Sequence, residues 1–167
     1  MENCTAGGYE SCRTVEPDPA HPGENLVTGY AYDRVGNRTH VTDTLGVVTF
    51  YQYDQANRLI RVVENYDPAR GQNEGNVYNI TTRYGFDRAG NQVVVTDTLG
   101  MATRTFYDAL NRPVRVVVNY LGSGQYDPDY PDRNVTTRYG YDEVGNQTVV
   151  TDTLGMVTRT FYDALNR

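Results

Sequence analysis

The sequence predicts an all-β fold of repetitive antiparallel β-hairpins. Three observations predict it: a long internal repeat, turn signals at fixed places in each copy, and a composition weighted towards strand formers. The stretch from Tyr84 to Arg112, YGFDRAGNQVVVTDTLGMATRTFYDALNR, returns from Tyr139 to Arg167 as YGYDEVGNQTVVTDTLGMVTRTFYDALNR, with 24 of 29 positions identical. A looser copy, YAYDRVGNRTHVTDTLGVVTFYQYDQANR, runs from Tyr30 to Arg58, and the offsets between copies are 54 and 55 residues. Self-similarity at a fixed period signals stacked units, each of which buries its apolar face only against the next.

Composition agrees. Of 167 residues 15 are Tyr, 4 are Phe and none is Trp. Tyrosine, threonine and valine suit a pleated, half-buried surface. Only 38% of residues are hydrophobic, so any core is thin. The net charge of −6 argues against a phosphate-binding surface, and hence against nucleic acid as a partner. No apolar run approaches the ~20 residues of a membrane span. The opening MENCTAGGYESC lacks the basic start and apolar centre of a signal peptide. The chain stops at Arg167 in mid-repeat, where the earlier copies continue into LIRVVENY and PVRVVVNY. It therefore reads as part of a longer protein.

Residues 1–25 read as an irregular N-terminal segment, with both cysteines and the run Pro17-Asp18-Pro19-Ala20-His21-Pro22-Gly23. The repeat region spans 26–167, and its first strand is expected near Leu26. Turn chemistry then sets the elements. Asp33-Arg34-Val35-Gly36, Asp87-Arg88-Ala89-Gly90 and Asp142-Glu143-Val144-Gly145 each place Asp first, where its carboxylate caps backbone N–H groups, and Gly fourth, where a left-handed conformation costs nothing. This is the pattern of a hairpin with a short bulged loop. Asp54-Gln55-Ala56-Asn57, Asp108-Ala109-Leu110-Asn111 and Asp163-Ala164-Leu165-Asn166 repeat it with Asn, the next most tolerant residue of positive φ. A third turn, Asp-Thr-Leu-Gly, lies between them at 43–46, 97–100 and 152–155.

Strands are expected over Arg38–Thr42, Val47–Tyr53 and Arg58–Asn65, then over Thr82–Phe86, Gln92–Thr96, Met101–Tyr107 and Arg112–Asn119. The longer linkers YDPARGQNEG (66–75) and YLGSGQYDPDYPDR (120–133) read as solvated excursions from one rim.

Tyr-Asp-x-x-Gly-Asn, about fifteen residues, then Tyr-Asp-x-x-Asn-Arg, with Thr-Asp-x-x-Gly between, resembles the YD repeat of RHS proteins. The half-units start 21 residues apart in every period, at Tyr32 and Tyr53, Phe86 and Tyr107, and Tyr141 and Tyr162. Phe86 departs from the motif by losing the hydroxyl. The resemblance implies a curved sheet that is a segment of a hollow β-shell. Such shells occur in bacterial RHS toxins, in the C component of insecticidal toxin complexes and in teneurins. It further implies a structural, non-enzymatic role, in which the wall encloses a toxin or effector or forms an exported surface scaffold. The partners would be the rest of the same polypeptide and an enclosed C-terminal effector domain. The place would be outside the cell or on its surface. Nothing resembling the family's aspartate-based self-cleavage region appears, and no cofactor is implied.

The candidate chemical groups have plainer readings. Aspartates that recur every 21 residues stand at one station of successive hairpins, so they form a ladder and not a converging acid–base pair. Asp127, Asp129 and Asp132 lack the Gly and terminal Glu of an EF-hand loop. Cys4 and Cys12 either form a terminal disulfide or stay as free thiols, and without nearby histidines they make no zinc site. The Asn-x-Ser/Thr sequons at Asn3, Asn37, Asn79, Asn134 and Asn146 are read as turn chemistry. Tyrosine rows pack as cross-strand ladders on an inner face. The competing function is carbohydrate binding or cell-surface adhesion, with Tyr126 and Tyr130 as the glycan contacts.

Overall fold

The computed structural model describes residues 27–167 apart from 73, 74, 76 and 123. Cys4, Cys12, His21, Asn3 and the irregular segment 1–25 lie outside the described residues. The rest is all-β, with eleven strands and no α-helix among the described residues. They are β1 Gly29–Tyr32, β2 Arg38–Thr42, β3 Val48–Tyr53, β4 Leu59–Glu64, β5 Ile80–Phe86, β6 Gln92–Thr96, β7 Ala102–Tyr107, β8 Pro113–Val118, β9 Val135–Tyr141, β10 Gln147–Thr151 and β11 Val157–Arg159. Within each unit, strands next to one another in the chain pair with one another, all antiparallel. Contacts group the chain into two compact units, Met1–Arg83 and Tyr84–Arg167, with the boundary inside β5.

The expected elements are borne out with small shifts. β2 and β6 have the expected bounds, and β3, β4, β7 and β8 lose a residue at one or both ends to the flanking turns. β1 begins at Gly29 and not at Leu26, while β5 and β9 each extend to seven residues.

In the first unit the turn construction is uniform. Asp33 accepts the Gly36 N–H on its carbonyl (3.2 Å) and donates its own N–H to the carbonyl of Asn37 (2.9 Å). Asp43 does the same with Gly46 and Val47, and Asp54 with Asn57 and Arg58. That is a type I turn followed by a left-handed residue, the three-residue hairpin loop. The second unit repeats it at Asp87, Asp97, Asp108, Asp142, Asp152 and Asp163. Gly and Asn divide these turns by geometry: φ is 93° at Gly90, beyond ordinary left-handed Asn, but 59° at Asn111, where Asn fits.

After the Tyr-Asp turns, one residue of the returning strand has no opposite number. Thr39, Ile60, Val114 and Thr148 are skipped between paired neighbours, a β-bulge in each case. The described Asp-Thr-Leu-Gly hairpins have no such slip.

Little is fully buried. The buried hydrophobic side chains are Val48 and Val63 in the first unit and Val117 in the second; Thr81 and Thr136 share that depth. Val63 pairs with Phe50 and Thr81, and Val117 with Arg104 and Thr136, so each core is one row across three strands.

One sequence occurs in two settings. The ten residues TRTFYDALNR are identical at Thr103–Arg112 and Thr158–Arg167. In the first, β8 follows and pairs with β7, the strand runs to Tyr107, and Phe106 is half-buried. In the second, no described strand covers the far edge of β11, which ends at Arg159 and leaves Phe161 85% exposed. The Asp163 turn still closes with both of its backbone bonds. The turn thus keeps its bonds in both settings, while the longer strand is found only where a following strand is present.

Candidate functional site

The recurring polar residues gather along the hairpin ends and at the roots of the linkers. At the hairpin ends each Tyr-Asp carboxylate is spent on its own loop. Asp54 Oδ1 accepts the N–H groups of Ala56 (2.8 Å) and Arg58 (3.0 Å), and Oδ2 accepts the Arg58 Nε–H (2.7 Å). Asp108 and Asp163 make the same set with Leu110 and Arg112, and with Leu165 and Arg167. Asp33 Oδ1 accepts the N–H groups of Val35 and Asn37, and Oδ2 accepts the Asn37 side-chain amide. Asp142 repeats this with Val144 and Asn146. Asp87 accepts both the backbone and side-chain N–H of Asn91.

These bonds hold the carboxyls below their ordinary range. The largest influence is the Arg58 backbone N–H on Asp54, the Arg112 backbone N–H on Asp108 and the Arg167 backbone N–H on Asp163. On Asp33 and Asp87 it is the side-chain amide of Asn37 and Asn91. At Asp142 partial desolvation pushes upward, but the Asn146 bonds outweigh it. An ionised acceptor with its lone pairs occupied serves neither as a general base nor as an open metal ligand.

The asparagine that ends the Gly-Asn turn reaches across to the next half-unit. Its amide donates to Asn57 Oδ1 from Asn37 (2.9 Å), to Asn111 Oδ1 from Asn91 (2.8 Å) and to Asn166 Oδ1 from Asn146 (2.9 Å). The motif tyrosines bind inward as well. Tyr53, Tyr107 and Tyr162 donate their hydroxyls to the carbonyls of Arg38, Gln92 and Gln147, and Tyr141 donates to Pro113. The motif aspartates thus close their own loops, while the asparagines and these four tyrosines fasten one strand or half-unit to another.

The described residues of both linkers are largely exposed, as expected of solvated excursions, but a buried asparagine just beyond each linker anchors it. Asn79 is buried, and its amide donates to the carbonyls of Asp67 (2.9 Å), Arg70 (2.9 Å) and Gly71 (3.1 Å), while its Oδ1 accepts the Asp67 N–H (2.9 Å). Asn134, also buried, accepts the Leu121 N–H (2.7 Å) and donates to the Gln125 carbonyl (2.8 Å). The sequence reading missed these two as anchors, although they are Asn-x-Thr units that close linkers of different length. Thr81 and Thr136 donate back to the Asn79 and Asn134 carbonyls.

In the first unit the linker also roofs a cleft of about 410 Å³, lined by His40, Val48, Tyr66, Asp67 and Tyr78 among others. Tyr66 stacks on Phe50 with ring centres 5.2 Å apart, and desolvation lowers the pKa of His40. The corresponding residues in the second unit are Val94, Arg104 and Tyr120. Tyr126 is half-buried and Tyr130 is 49% exposed, with the Arg133 guanidinium 4.1 Å over its ring. Among the described residues no group of three His, Cys, Asp or Glu side chains is placed to hold a metal.

The RHS Repeat family model matches residues 32–66, the first half-unit pair with the strand after it. Those residues match an RHS repeat. The matched span starts at the Tyr-Asp of the first copy and ends at Tyr66, the root of the first linker, so the RHS repeat and the two-half-unit fastening are one object. Solved structures resemble the fold. A crystal structure of TcdB2-TccC3 without its hypervariable C-terminal region aligns with TM-score 0.62 at 20% identity, over 84% of this chain. TcdB2-TccC3-Cdc42 aligns with TM-score 0.60 at 18% identity over 83%. A Tc holotoxin pore from Photorhabdus luminescens aligns with TM-score 0.57 at 19% identity over 80%. The chain spans only 8%, 8% and 7% of those chains. Comparison with curated proteins finds no match.

Proposed function

We propose that this chain is a stretch of wall in an RHS-repeat shell, structural in itself, and that the complete polypeptide encloses an effector and is exported. The observation that carries the reading is the identical ten-residue segment, which is a strand beside a following strand and is open to solvent without one. A sheet that orders each strand by the next extends without limit in one direction, which is what a wall requires. The turn aspartates, committed to their loops, support scaffolding over catalysis. The likeness to Tc toxin components supports the same reading by fold alone.

Enclosure is tested on the full-length polypeptide by limited proteolysis. The reading expects the region beyond the repeats to resist cleavage until the repeat sheet is unfolded. Cleavage of that region in the native protein at the rate seen in denaturant would refute enclosure.

A further inference from the structure

In the second unit the strands β6–β11 contain four arginines, Arg104, Arg115, Arg138 and Arg159, and no Asp or Glu. Cross-strand register places all four on one face. Arg115 lies directly opposite Arg138. Phe106 lies opposite Arg115, which puts Arg104, two residues earlier on the same strand, on that face too. Gly140, two residues after Arg138, lies opposite Val149, and Val149 lies opposite Arg159. The other face of these strands has no charge.

Two like charges directly opposite on a sheet are destabilising, and a carboxylate laid against them relieves the repulsion. The arrangement recurs independently in the first unit, where Arg61 lies opposite Arg83. No described carboxylate pairs with Arg104, Arg115, Arg138 or Arg159, since the ion pairs of the unit join Arg112 and Arg167 to their turn aspartates. Arg104 instead donates to the Tyr120 hydroxyl (3.3 Å).

We propose that this face docks an acidic polypeptide segment in which Asp or Glu alternates with apolar residues. Guanidinium forks match carboxylates in a paired, planar geometry. Arg115 and Arg138, directly opposite on adjacent strands, lie roughly 5 Å apart at the backbone, within reach of the ~7 Å spacing of alternate side chains on an extended chain, and Arg104 stands diagonal to Arg115. Val149 and the half-exposed Val157 supply apolar contact between them. A nucleic acid fits the face less well. Arg104 and Arg115 already lie over the Phe106 ring, at 5.1 and 3.8 Å, in the place a base would stack. The proposal stands apart from the wall reading, because a sheet can form a wall with or without an occupant on this face.

The test is fluorescence anisotropy of the full chain with a short labelled peptide alternating Glu and Ala, at low salt. Competing probes are the Lys-Ala peptide and a short oligothymidylate. The variants are Arg115→Gln/Arg138→Gln and, as a charge-matched control, Arg34→Gln/Arg88→Gln at the exposed turn tips. Binding of the acidic peptide is expected to weaken about tenfold or more in the first variant and to change little in the second. Thermal unfolding serves as an independent measurement. Arg115→Gln also removes the contact with the Phe106 ring, so the readout is the shift on adding peptide: the acidic peptide should raise Tm of the parent but not of the variant. Equal losses in both variants, no peptide binding, an equal peptide-induced Tm shift in parent and first variant, or tighter binding of the oligothymidylate would each overturn the proposal.

Discussion

At the scale of single residues, polar atoms decide where the chain turns and how the linkers are held. Asn134 satisfies two backbone groups of the linker from a buried position and at φ 52°. Replacing it with Gly preserves the backbone conformation and orphans those groups, so Asn134→Gly should cost about 1–3 kcal/mol in urea unfolding. Val144→Ala, at an exposed turn tip, should stay within about 0.5 kcal/mol. An equal effect of the two would contradict the anchoring role. The turn aspartates set the response to acid. Their folded pKa values lie below the ordinary value near 3.8, so the stability they contribute is complete above it and is lost as pH falls through the depressed values. The urea midpoint should therefore be level at neutral pH and fall steeply below about pH 4. A midpoint that holds through that range would remove the aspartates from the account. Capping by Asp and the choice between Gly and Asn were legible in the sequence because both act within five residues. The anchoring by Asn79 and Asn134 was not, because their partners lie up to thirteen residues away across linkers of unlike length.

At the scale of the element, the hairpin is the unit and its half-units are sewn together by side chains. Asn111 both occupies a left-handed position and accepts the Asn91 amide, so Asn111→Gly keeps the backbone and loses the link. Tyr107→Phe likewise removes the bond to the Gln92 carbonyl. Each should lower stability by roughly 0.5–1 kcal/mol. Because the two are neighbouring fastenings of one hairpin end, the double variant should deviate from additivity. Strict additivity in thermal unfolding would separate them. Strand positions could be read from turn spacing, but the facing of side chains could not. The hairpins closed by Asp33, Asp54, Asp108 and Asp142 each skip one residue, and a one-residue slip moves every later side chain to the opposite face. Alternation counted along the sequence therefore loses its phase once per hairpin, and the tyrosine and arginine faces emerge only with the register in hand.

At the scale of the whole molecule, the described residues bury only three valines and two threonines, divided between the two units, which leaves each strand dependent on the one beside it. Uncovered edges with unpaired N–H and C=O groups invite further pairing. The chain alone should associate in a concentration-dependent way, visible in sedimentation velocity, and a single sharp monomer across a wide concentration range would count against it. The most direct measurement of strand-by-strand ordering extends the chain beyond Arg167 with PVRVVVNY, the sequence that follows the second copy, and follows amide hydrogen exchange at Phe161, with Thr160, already bonded to the Thr148 carbonyl on the other side, as the internal reference. If each strand is ordered by the next, the Phe161 amide becomes protected to the level of Phe106, its counterpart opposite Arg115. If its exchange is unchanged by the added strand, stacking on a neighbour is not what holds this sheet together.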